Sequence, residues 1–523
     1  MLEEKLRAAR EAAYWRAMHR RAVDREAKHK QRIAELEGKL RLREQQLFGR
    51  KTETSSSPPP PSTPSLTTPD AAARRPRGQQ VGQPGHGRRD YTQLPARVEE
   101  AQLTGDDSCC PQCQQPFQVI GGTEDSTVLE IEVCAHRRVV RRRRYRPTCQ
   151  CGVVPQVVAA PPPPRVIPKS QLGVSIWVTV LLDKYLFYRP TYRLLADLAS
   201  HGMDLSLGTL TDGLQRLVPL FEPLYEAFVQ RSRQQPLWHA DETRWLVFAL
   251  VEGKVGYRWY LWVFHGREVV VFVLATGRAH DIPEEHLGPD ARAIMVVDRY
   301  LAYQVIDQVK SGQIVLAFCW SHVRRDFRAV ARSWPDQESW ALAWIEGIGK
   351  IYALNDARLQ VQPQPLAFAD ADAALRAGVT ALGIQGETEL TDPQLHPARR
   401  KVLESLGNHW TGLTVFVEHP AVPMDNNTAE RVQRGPVVGR KNYYGSGAVW
   451  AGQLAAMMFS LFQTLSLWNI NPRLWLTAYL EACARSGGQT PPDLESYLPW
   501  NLTAAQRQAW VSDREEKASP NSS

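Results

Sequence analysis

The feature that most constrains the fold is an apolar run that ends in a carboxylate, within the segment ARAIMVVDRYLAYQ at residues 291–304. Residues 293–297 are all apolar, and Asp298 follows them directly. A short, continuous apolar run is typical of a strand buried on both faces. A single acid after a strand is most often a turn or capping residue. The run therefore predicts a buried strand, and it makes Asp298 a candidate site residue only if other acids join it.

Two further acids lie in a second predicted strand. Residues 236–250, PLWHADETRWLVFAL, are rich in aromatic and β-branched residues and contain Asp241 and Glu242. Side chains alternate along a strand, so we expect Glu242 on the face opposite Asp241 and exclude it from the candidate site. The next segment, YRWYLWVFHGREVVVFVLATG, predicts two strands joined by a turn at His265 and Gly266, and QIVLAFCW predicts one more.

A third acid, Glu430, lies in the cationic and amide-rich segment MDNNTAERVQRGPVVGRKNYYGSG. The side chains of residues 425–427 (DNN) can cap a helix start, which puts Glu430 and Arg434 one turn apart on the same helix face. We expect Arg440, Lys441 and Asn442 in the loop after this helix. A carboxylate among phosphate-binding side chains suits a metal-dependent enzyme that acts on nucleic acid. A solvated, salt-bridged helix is the alternative.

In this order, the segments WHADETRW, VVDRYLAY, FCWSHVRRDF and DNNTAERVQRGPVVGRKN resemble the catalytic domain of the insertion sequence 66 family of bacterial transposases. The resemblance extends from LFGRK at residue 47 to LPWN at residue 498. These enzymes are DDE transposases. The resemblance implies a ribonuclease H-like core and a catalytic triad of Asp241, Asp298 and Glu430. It also implies two Mg²⁺ ions, or Mn²⁺ in their place, with Asp241 bridging both ions and the other two acids each binding one.

The spacing of the acids predicts an insertion. Asp298 and Glu430 are 132 residues apart, too far for a direct crossover, and helix-like stretches fill residues 322 to about 420. His322, Arg324 and Arg325 open this region. We expect them to contact DNA or support the active site, with a basic helix face as the alternative. His322 taken alone is more often a structural residue.

The positive charge of the chain is concentrated near its N-terminus. The 523 residues have a formal net charge of +8, and residues 1–169 hold 30 Lys and Arg against 19 Asp and Glu. The remainder holds 33 against 36. Electrostatic affinity for nucleic acid is therefore expected mainly in the N-terminal third. Within it, HRRVVRRRRYRP at residues 136–147 predicts a phosphate-binding ridge, with a solvated basic surface as the alternative; its central arginines are Arg141, Arg142, Arg143 and Arg144.

Four of the eight cysteines have the spacing of metal ligands: Cys110, Cys113, Cys149 and Cys151. A CxxC pair with a CxC pair suits structural Zn²⁺, and the related transposases carry a zinc-binding module at this place. Disulfides are the alternative, but no segment indicates secretion. The family usually has Gly where this chain has Gln114, which weakens the expected geometry without removing a ligand. Cys319 and Cys483 lie in apolar surroundings and are predicted to be core residues.

The N-terminal segment has a short heptad pattern. Ile33, Leu36, Leu40 and Leu47 fit a and d positions, which predicts a dimerising coiled coil, with a single solvated helix as the alternative. The segment lacks the apolar core of a signal peptide, so a cytoplasmic, nucleoid-associated protein is expected. The apolar helices are interrupted by polar residues too early for a membrane span.

The overall prediction is a multidomain α/β chain with a ribonuclease H-like core, which is a mixed sheet with flanking helices and a helical insertion at about 322–420. The predicted layout is a coiled coil or long helix at 1–50, a disordered basic linker at 51–95, a zinc-binding, DNA-contacting module at 96–168, a helical platform or helix-turn-helix-like region at 169–232, a DDE catalytic domain at 233–450, and a C-terminal helical region and tail at 451–523.

Three function classes fit these features. The first is an active transposase that joins the 3′-hydroxyl of transposon ends to target DNA. The second is a transposase-derived protein that binds DNA without chemistry. The third is another nuclease of the ribonuclease H type, which would lack the insertion and the zinc module. The intact acids favour the first, whose expected partners are double-stranded DNA, further copies of the chain, and accessory proteins encoded by the element.

Overall fold

The computed structural model describes residues 157–511 and 135–145, residues 112 and 115, and many of the residues between 15 and 42. The chain divides into two compact units, Met1–Ser55 with Cys134–Ser523, and Ser56–Val133. The sheet and the candidate site lie in the first unit.

A five-stranded mixed sheet forms the centre of this unit. Its strands are β1 Leu237–Leu246, β2 Arg258–His265, β3 Val270–Ala275, β4 Ala293–Val297 and β5 Ile314–Phe318. They are arranged in the order β3-β2-β1-β4-β5. β1 pairs antiparallel with β2, and β2 with β3, whereas β1 pairs parallel with β4, and β4 with β5. All five strands are those predicted from the sequence, including the run that stops just before Asp298.

Helices lie before, between and after the strands. Three precede the sheet: α1 Val174–Tyr185, α2 Thr191–Ser200 and α3 Leu207–Arg233. Three short ones connect the later strands: α4 Asp281–Leu287, α5 Leu301–Gln304 and α6 Asp307–Lys310. The helices after β5 are α7 Trp320–Ser333, α8 Glu338–Gln360, α9 Pro365–Leu390, α10 Pro397–Asn408, α11 Trp410–Leu413, α12 Val415–Glu418, α13 Asn427–Tyr443, α14 Val449–Leu467, α15 Pro472–Arg485 and α16 Ala504–Trp510.

Each face of the sheet is covered by its own hydrophobic core. Trp245 of β1 packs in a core with helices α1, α3, α14 and α15. Trp238 of the same strand packs in a second core with α7 to α9. Trp238 and Trp245 are an odd number of residues apart, and alternate side chains of a strand point to opposite faces, so the two rings lie on opposite faces of the sheet. Burying a large apolar side chain contributes about 1.5 to 3 kcal/mol, so both helical layers help to hold the sheet.

Helix α3 belongs to the first core. Ser206 caps it, because its Oγ accepts a hydrogen bond from the Thr209 backbone N–H at 3.1 Å. Its apolar stripe, which includes Leu210, Leu214 and Leu217, is buried, and helix α14 and strand β3 contact it. This packing fits the helical-platform interpretation of residues 169–232, since the stripe is used inside the fold.

The region between β5 and α13 is helical, as the sequence indicates, although its first helix begins at Trp320, two residues before the expected start. Arg358 of α8 anchors it. This side chain is fully buried and donates to the carbonyl oxygens of Phe416 and Val417, at 2.8 and 2.9 Å, and to Asp372. A buried guanidinium is costly, and these acceptors offset much of that cost at its two terminal nitrogens. None of the helices in the described part of the chain is long and apolar enough to span a bilayer.

Candidate active site

The pairing of β1 with β4 brings the two aspartates together. In this parallel pair His239 lies opposite Val296, an offset of 57 residues. The same offset separates Asp241 from Asp298, so continuing the register by two residues places them side by side. Asp241 lies within β1, and Asp298 directly follows β4. The sheet register thus explains why two acids so far apart in the sequence share one edge.

Glu430 reaches this edge from the first turn of α13, which packs against β1 and β2. Asn426, just before the helix, ties it to β1. Its Nδ2 donates to the Ala240 carbonyl oxygen at 2.8 Å, and its Oδ1 lies 3.1 Å from His239 Nδ1. Asn426 therefore occupies the N-cap position of α13, but its side chain bonds to β1 and forms no capping hydrogen bond at the helix start. Asp425 provides the local turn, with Oδ1 accepting from the backbone N–H of residue 427 at 3.0 Å.

The three carboxyl groups affect one another electrostatically. Burial, and after it the negative charges of Glu242, Asp298 and Glu430, raise the pKa of Asp241 to about 8. The Glu242 backbone N–H, 2.9 Å from Asp241 Oδ1, opposes that rise. Burial also raises the pKa of Glu430, against the positive charges of two arginines. The positive charge around the cluster is therefore too small to keep Asp241 ionised at neutral pH.

Glu242 has partners of its own. Its side chain is 1% exposed, and its carboxylate accepts from the Tyr303 hydroxyl at 2.6 Å and from Arg278 Nε at 2.6 Å. Tyr303 belongs to the same core as Trp238. Trp238 and Glu242 are four residues apart in β1, so their side chains lie on the same face of the strand. This placement agrees with the alternation predicted from the sequence. Burial raises the pKa of Glu242, while Tyr303 and Arg278 lower it.

Arg278 connects Glu242 to the Asp298 loop. Its guanidinium carbon lies 3.7 Å from the centroid of the Tyr300 ring. The Tyr300 backbone N–H donates to Asp298 Oδ1 at 2.9 Å. A cation on an aromatic face is stabilising, so the Glu242–Arg278–Tyr300 chain fixes the loop that carries Asp298.

His322 also lies at the site. Its Nε2 is 3.8 Å from Glu430 Oε1. Cys319 is fully buried, as predicted, and its Sγ accepts from the Asn426 backbone N–H at 3.2 Å. One donor atom from each of Cys319, His322 and Glu430 lies within 4.8 Å of the others. Considered alone, His322 is predicted to be a structural residue, but the structure places its ring beside Glu430.

The two arginines of α7 have different surroundings. Arg325 is exposed, and its charge lowers the pKa of Glu430. Arg324 instead lies with its guanidinium carbon 5.9 Å from the centroid of the Tyr352 ring of α8. Arg434, one turn after Glu430, also lowers the pKa of that acid. Arg325 and Arg434 are thus the cations whose charge acts on the acidic cluster.

The expectation of a loop at Arg440, Lys441 and Asn442 is wrong, because α13 continues through them to Tyr443. The helix passes Pro436, whose ring is buried. Close packing supports this continuation: a Cβ at Gly435 would collide with the Tyr188 hydroxyl, and Asn442 Nδ2 donates to the carbonyl oxygen of Tyr188 at 3.0 Å. Cations in a last turn also interact favourably with the helix dipole.

Arg440 and Lys441 differ in their contacts. Arg440 NH1 donates to Thr243 Oγ1 at 3.1 Å and also to the Arg244 carbonyl oxygen, so this guanidinium helps to hold α13 on β1. Lys441 is exposed. Of the two cations, Lys441 is the one whose charge faces solvent.

The basic ridge is partly described. Arg141, Arg142, Arg143 and Arg144 are exposed, and Arg144–Tyr145 pairs antiparallel with Val158–Ala159. Arg142 NH1 donates to the Ala160 carbonyl oxygen at 3.0 Å. The four predicted zinc ligands lie outside the described residues: Cys110, Cys113, Cys149 and Cys151.

Sequence reasoning missed three residues that contact Asn426 or Glu242, namely His239, Arg278 and Tyr303, and it assigned Asn426 to the helix start and not to its contact with β1. His239 carried a usable signal, because it lies two positions before Asp241 and so on the same strand face. Arg278 and Tyr303 carried none, since their contacts with Glu242 depend on how distant segments pack.

A helix-flanked mixed sheet with acids gathered at one edge is consistent with the catalytic core of a DDE transposase. The family model described as "Transposase IS66 family" matches residues 169–454, more than half of the chain, and the protein belongs to that family. The chain is also 27% identical to the uncharacterized protein y4jD of Sinorhizobium fredii, over 76% of this chain and 78% of the relative. A second uncharacterized protein of that organism, y4hP, is 25% identical over 73% of this chain and 71% of its own length.

Proposed function

We propose that this transposase family member is catalytically active: it cuts DNA at transposon ends and joins the 3′-hydroxyl to target DNA through a ribonuclease H-like DDE core. The observation that carries the proposal is the grouping of Asp241, Asp298 and Glu430: burial, and then the charges of neighbouring acids that include Asp298 and Glu430, raise the pKa of Asp241 to about 8. A half-buried carboxyl group among further acids is costly to ionise unless a cation compensates its charge. Its retention therefore favours a catalytic role over DNA binding without chemistry.

The donor set fits Mg²⁺ or Mn²⁺. Both are hard cations that prefer carboxylate oxygens, and a divalent charge would relieve the repulsion that raises the pKa of Asp241. Asp241 would contact both ions, and Asp298 and Glu430 one each. Two such ions, when bound, activate the attacking oxygen and stabilise the leaving oxygen of an in-line phosphoryl transfer. The Asn426 contacts and the Tyr300 backbone N–H keep the three carboxylates in position for that arrangement.

The cations around the acids would position DNA. Arg325 and Arg434 act on Glu430, and Lys441 is exposed on the same helix as Glu430. Phosphates held by Arg325 and Arg434 would lie beside the acidic cluster, where the reaction requires them, and Lys441 would contact the DNA farther along α13. In this proposal Arg324 and Arg440 support the surface through their contacts with Tyr352 and Thr243.

The N-terminal part would supply further DNA affinity and assembly. The exposed arginines 141–144 suit phosphate contacts, and a structural Zn²⁺ on the four predicted cysteines would order the segment around them. The described residues between 15 and 42 are helical, and Ile33, Leu36 and Leu40 are 56%, 51% and 60% exposed. An exposed a/d stripe on a helix supports pairing with a second copy of the chain.

The test is cleavage by an Asp298→Asn protein. Its substrate is a plasmid that carries the inverted repeats flanking the encoding gene. We expect cleavage to fall at least about a thousandfold, because several kcal/mol of charge stabilisation are lost, while DNA binding stays measurable. The matched control is Asp307→Asn, since Asp307 forms an exposed pair with Lys310 before β5, at the opposite end of the sheet. An Asp298→Asn protein that still cuts overturns the triad, and a wild-type protein that binds these ends but never cuts them overturns the enzyme proposal.

A further inference from the structure

A second set of metal-binding atoms lies beside the acidic cluster. Cys319 immediately precedes α7, and His322 lies in its first turn, so the two side chains are three residues apart at one helix end. The Cys319 Sγ, a ring nitrogen of His322 and a carboxylate oxygen of Glu430 are all within 4.8 Å of one another. These residues come from two separate elements. The Trp320 backbone N–H donates to the Met424 carbonyl oxygen at 2.9 Å and the Asn426 backbone N–H donates to Cys319 Sγ, which holds the start of α7 beside the segment that leads into α13.

The geometry of this set is close to that of a tetrahedral transition-metal site. Zinc bonds of about 2.0 Å to nitrogen or oxygen and 2.3 Å to sulfur place neighbouring donors roughly 3.3 to 3.6 Å apart. His322 Nε2 and Glu430 Oε1 are 3.8 Å apart. The other separations are below 4.8 Å, so small side-chain rotations would complete the arrangement.

His322 carries a second observation that points to a ligand. Its Nδ1 atom is buried and has no hydrogen-bond partner in the part of the chain that the structure describes. A buried polar atom without a partner is costly, and such atoms commonly mark an ion or water site. The other ring nitrogen, Nε2, lies 3.8 Å from Glu430 Oε1, so the hydrogen-bonding capacity of this imidazole remains open to a ligand.

The chemistry of the donors separates this site from the magnesium pair. Thiolate and imidazole are softer ligands than carboxylate and favour Zn²⁺ and related transition metals. Magnesium prefers oxygen ligands and retains several waters, so Cys319 and His322 would contribute little to it. The two sites share only Glu430.

We propose that Cys319, His322 and Glu430 form a binding site for one transition-metal ion of the Zn²⁺ class, which competes with the catalytic ions for Glu430. Binding forms bonds to sulfur, nitrogen and oxygen, and the thiol proton of Cys319 passes to solvent. Three protein ligands leave a fourth position for water. The inhibitory consequence rests on the proposed function: Glu430 held by this ion is withdrawn from the triad, so zinc suppresses DNA cleavage.

The binding test uses the full chain and Co²⁺, whose absorption reports thiolate ligation. Because the four N-terminal cysteines are also predicted to bind such ions, the measurement is a difference in stoichiometry between variants. We expect the wild-type protein to bind one more Co²⁺ than Cys319→Ser or His322→Ala. The serine hydroxyl can still accept from the Asn426 backbone N–H, so Cys319→Ser removes the soft ligand while preserving that contact.

Cys483→Ser is the matched control, because Cys483 is the other buried free cysteine among the described residues. It should bind as many Co²⁺ ions as the wild-type protein. Thermal melting in the absence of added metal identifies any variant that fails to fold, and the second ligand variant then provides the comparison. Equal Co²⁺ stoichiometry in the wild-type, Cys319→Ser and His322→Ala proteins overturns the site.

The functional test is the sensitivity of Mg²⁺-dependent cleavage to added Zn²⁺, with each protein compared to its own rate without zinc. We expect half-inhibition of Cys319→Ser to need at least about tenfold more Zn²⁺ than the wild-type protein, since losing one ligand of three costs more than 1.4 kcal/mol, a factor of ten. Equal sensitivity overturns the competition. A wild-type protein that never cuts DNA contradicts the proposed function, whereas the Co²⁺ stoichiometry tests the site independently.

Discussion

The two neighbouring acids of β1 show how the same residue class can serve the fold or the site. Glu242 is 1% exposed, and Arg278 and Tyr303 compensate its charge within the protein. Asp241 lies on the other strand face, and burial, together with the charges of Glu242, Asp298 and Glu430, raises its pKa to about 8. The protein thus supplies partners for the charge of Glu242, whereas Asp241 keeps its proton at neutral pH in the absence of a cation.

This difference gives a physical criterion for choosing between adjacent acids. A buried charge with a full set of partners is explained by folding alone. A group of acids without such partners is not explained by folding alone, and a raised pKa such as that of Asp241 is typical of functional sites. Proximity in the sequence is uninformative here, since Asp241 and Glu242 are consecutive.

The largest expected effect is on DNA cleavage. Asp241→Asn should reduce the rate at least about a thousandfold, because a neutral amide cannot provide the charge needed to hold two divalent ions. Glu242→Gln should reduce the rate by about tenfold or less, because the amide oxygen can still accept from Tyr303. Rates of cleavage of plasmids carrying the transposon ends measure both. Equal losses of cleavage rate in the two variants would contradict the assignment of Asp241 to the active site and of Glu242 to the fold.

The next largest expected effect is on how the stability of the magnesium-free protein depends on pH. Asp241 has a pKa of about 8 in the fold and 3.8 as its ordinary value. Between these pH values the folded protein retains a proton that the unfolded chain has lost, so the free energy of unfolding decreases as pH rises. We expect the melting temperature to fall from pH 5 to pH 8, less steeply in Asp241→Asn, and Mg²⁺ to reverse the fall at pH 8.

Glu242→Gln is the comparison for that experiment. Burial also raises the pKa of Glu242, but Arg278 and Tyr303 oppose the rise, so its contribution to the slope should be the smaller one. Metal is withheld rather than removed by chelators, because chelation would also strip the predicted zinc ion. A steeper change of slope in Glu242→Gln than in Asp241→Asn would contradict the assignment of the uncompensated charge to Asp241.

The smallest expected effect concerns two cations of α13, which also differ in whether the protein itself provides a partner for the charged group. Arg440 is bonded to Thr243, whereas Lys441 is exposed. Lys441→Ala should weaken binding to all DNA sequences alike and reduce the slope of log affinity against log salt by about one unit. Lys310→Ala is the control, because Lys310 pairs with Asp307 before β5, at the far end of the sheet. An unchanged slope in Lys441→Ala would remove Lys441 from the DNA-binding surface.

Local pattern in the sequence was sufficient for the elements. Continuous apolar runs and aromatic, β-branched segments predicted β1 to β5, and helical periodicity predicted the insertion between β5 and α13. The strand-end position of Asp298 also followed from the sequence, because a run of one polarity ends where burial ends. These properties depend on residues that are close in the chain, so a single sequence contains them.

The same reasoning failed where distant segments decide the outcome. The sequence predicts a loop at Arg440, Lys441 and Asn442, yet α13 packs against Tyr188 and continues to Tyr443. It also predicts side-chain capping by residues 425–427, but the side chain of Asn426 donates to the buried carbonyl of Ala240 instead. In both cases a tertiary contact outweighs a local preference of about 1 kcal/mol.

The sequence by itself therefore determined the order of the strands and helices and the presence of acids where strands end and a helix begins. The tertiary structure alone decided that Asp241 stands beside Asp298, that Glu242 is neutralised by Arg278, and that Cys319 and His322 reach Glu430. The reason is physical: secondary structure follows from the chemistry of neighbouring residues, whereas charge compensation depends on distances across the fold, and the register between β1 and β4 sets those distances.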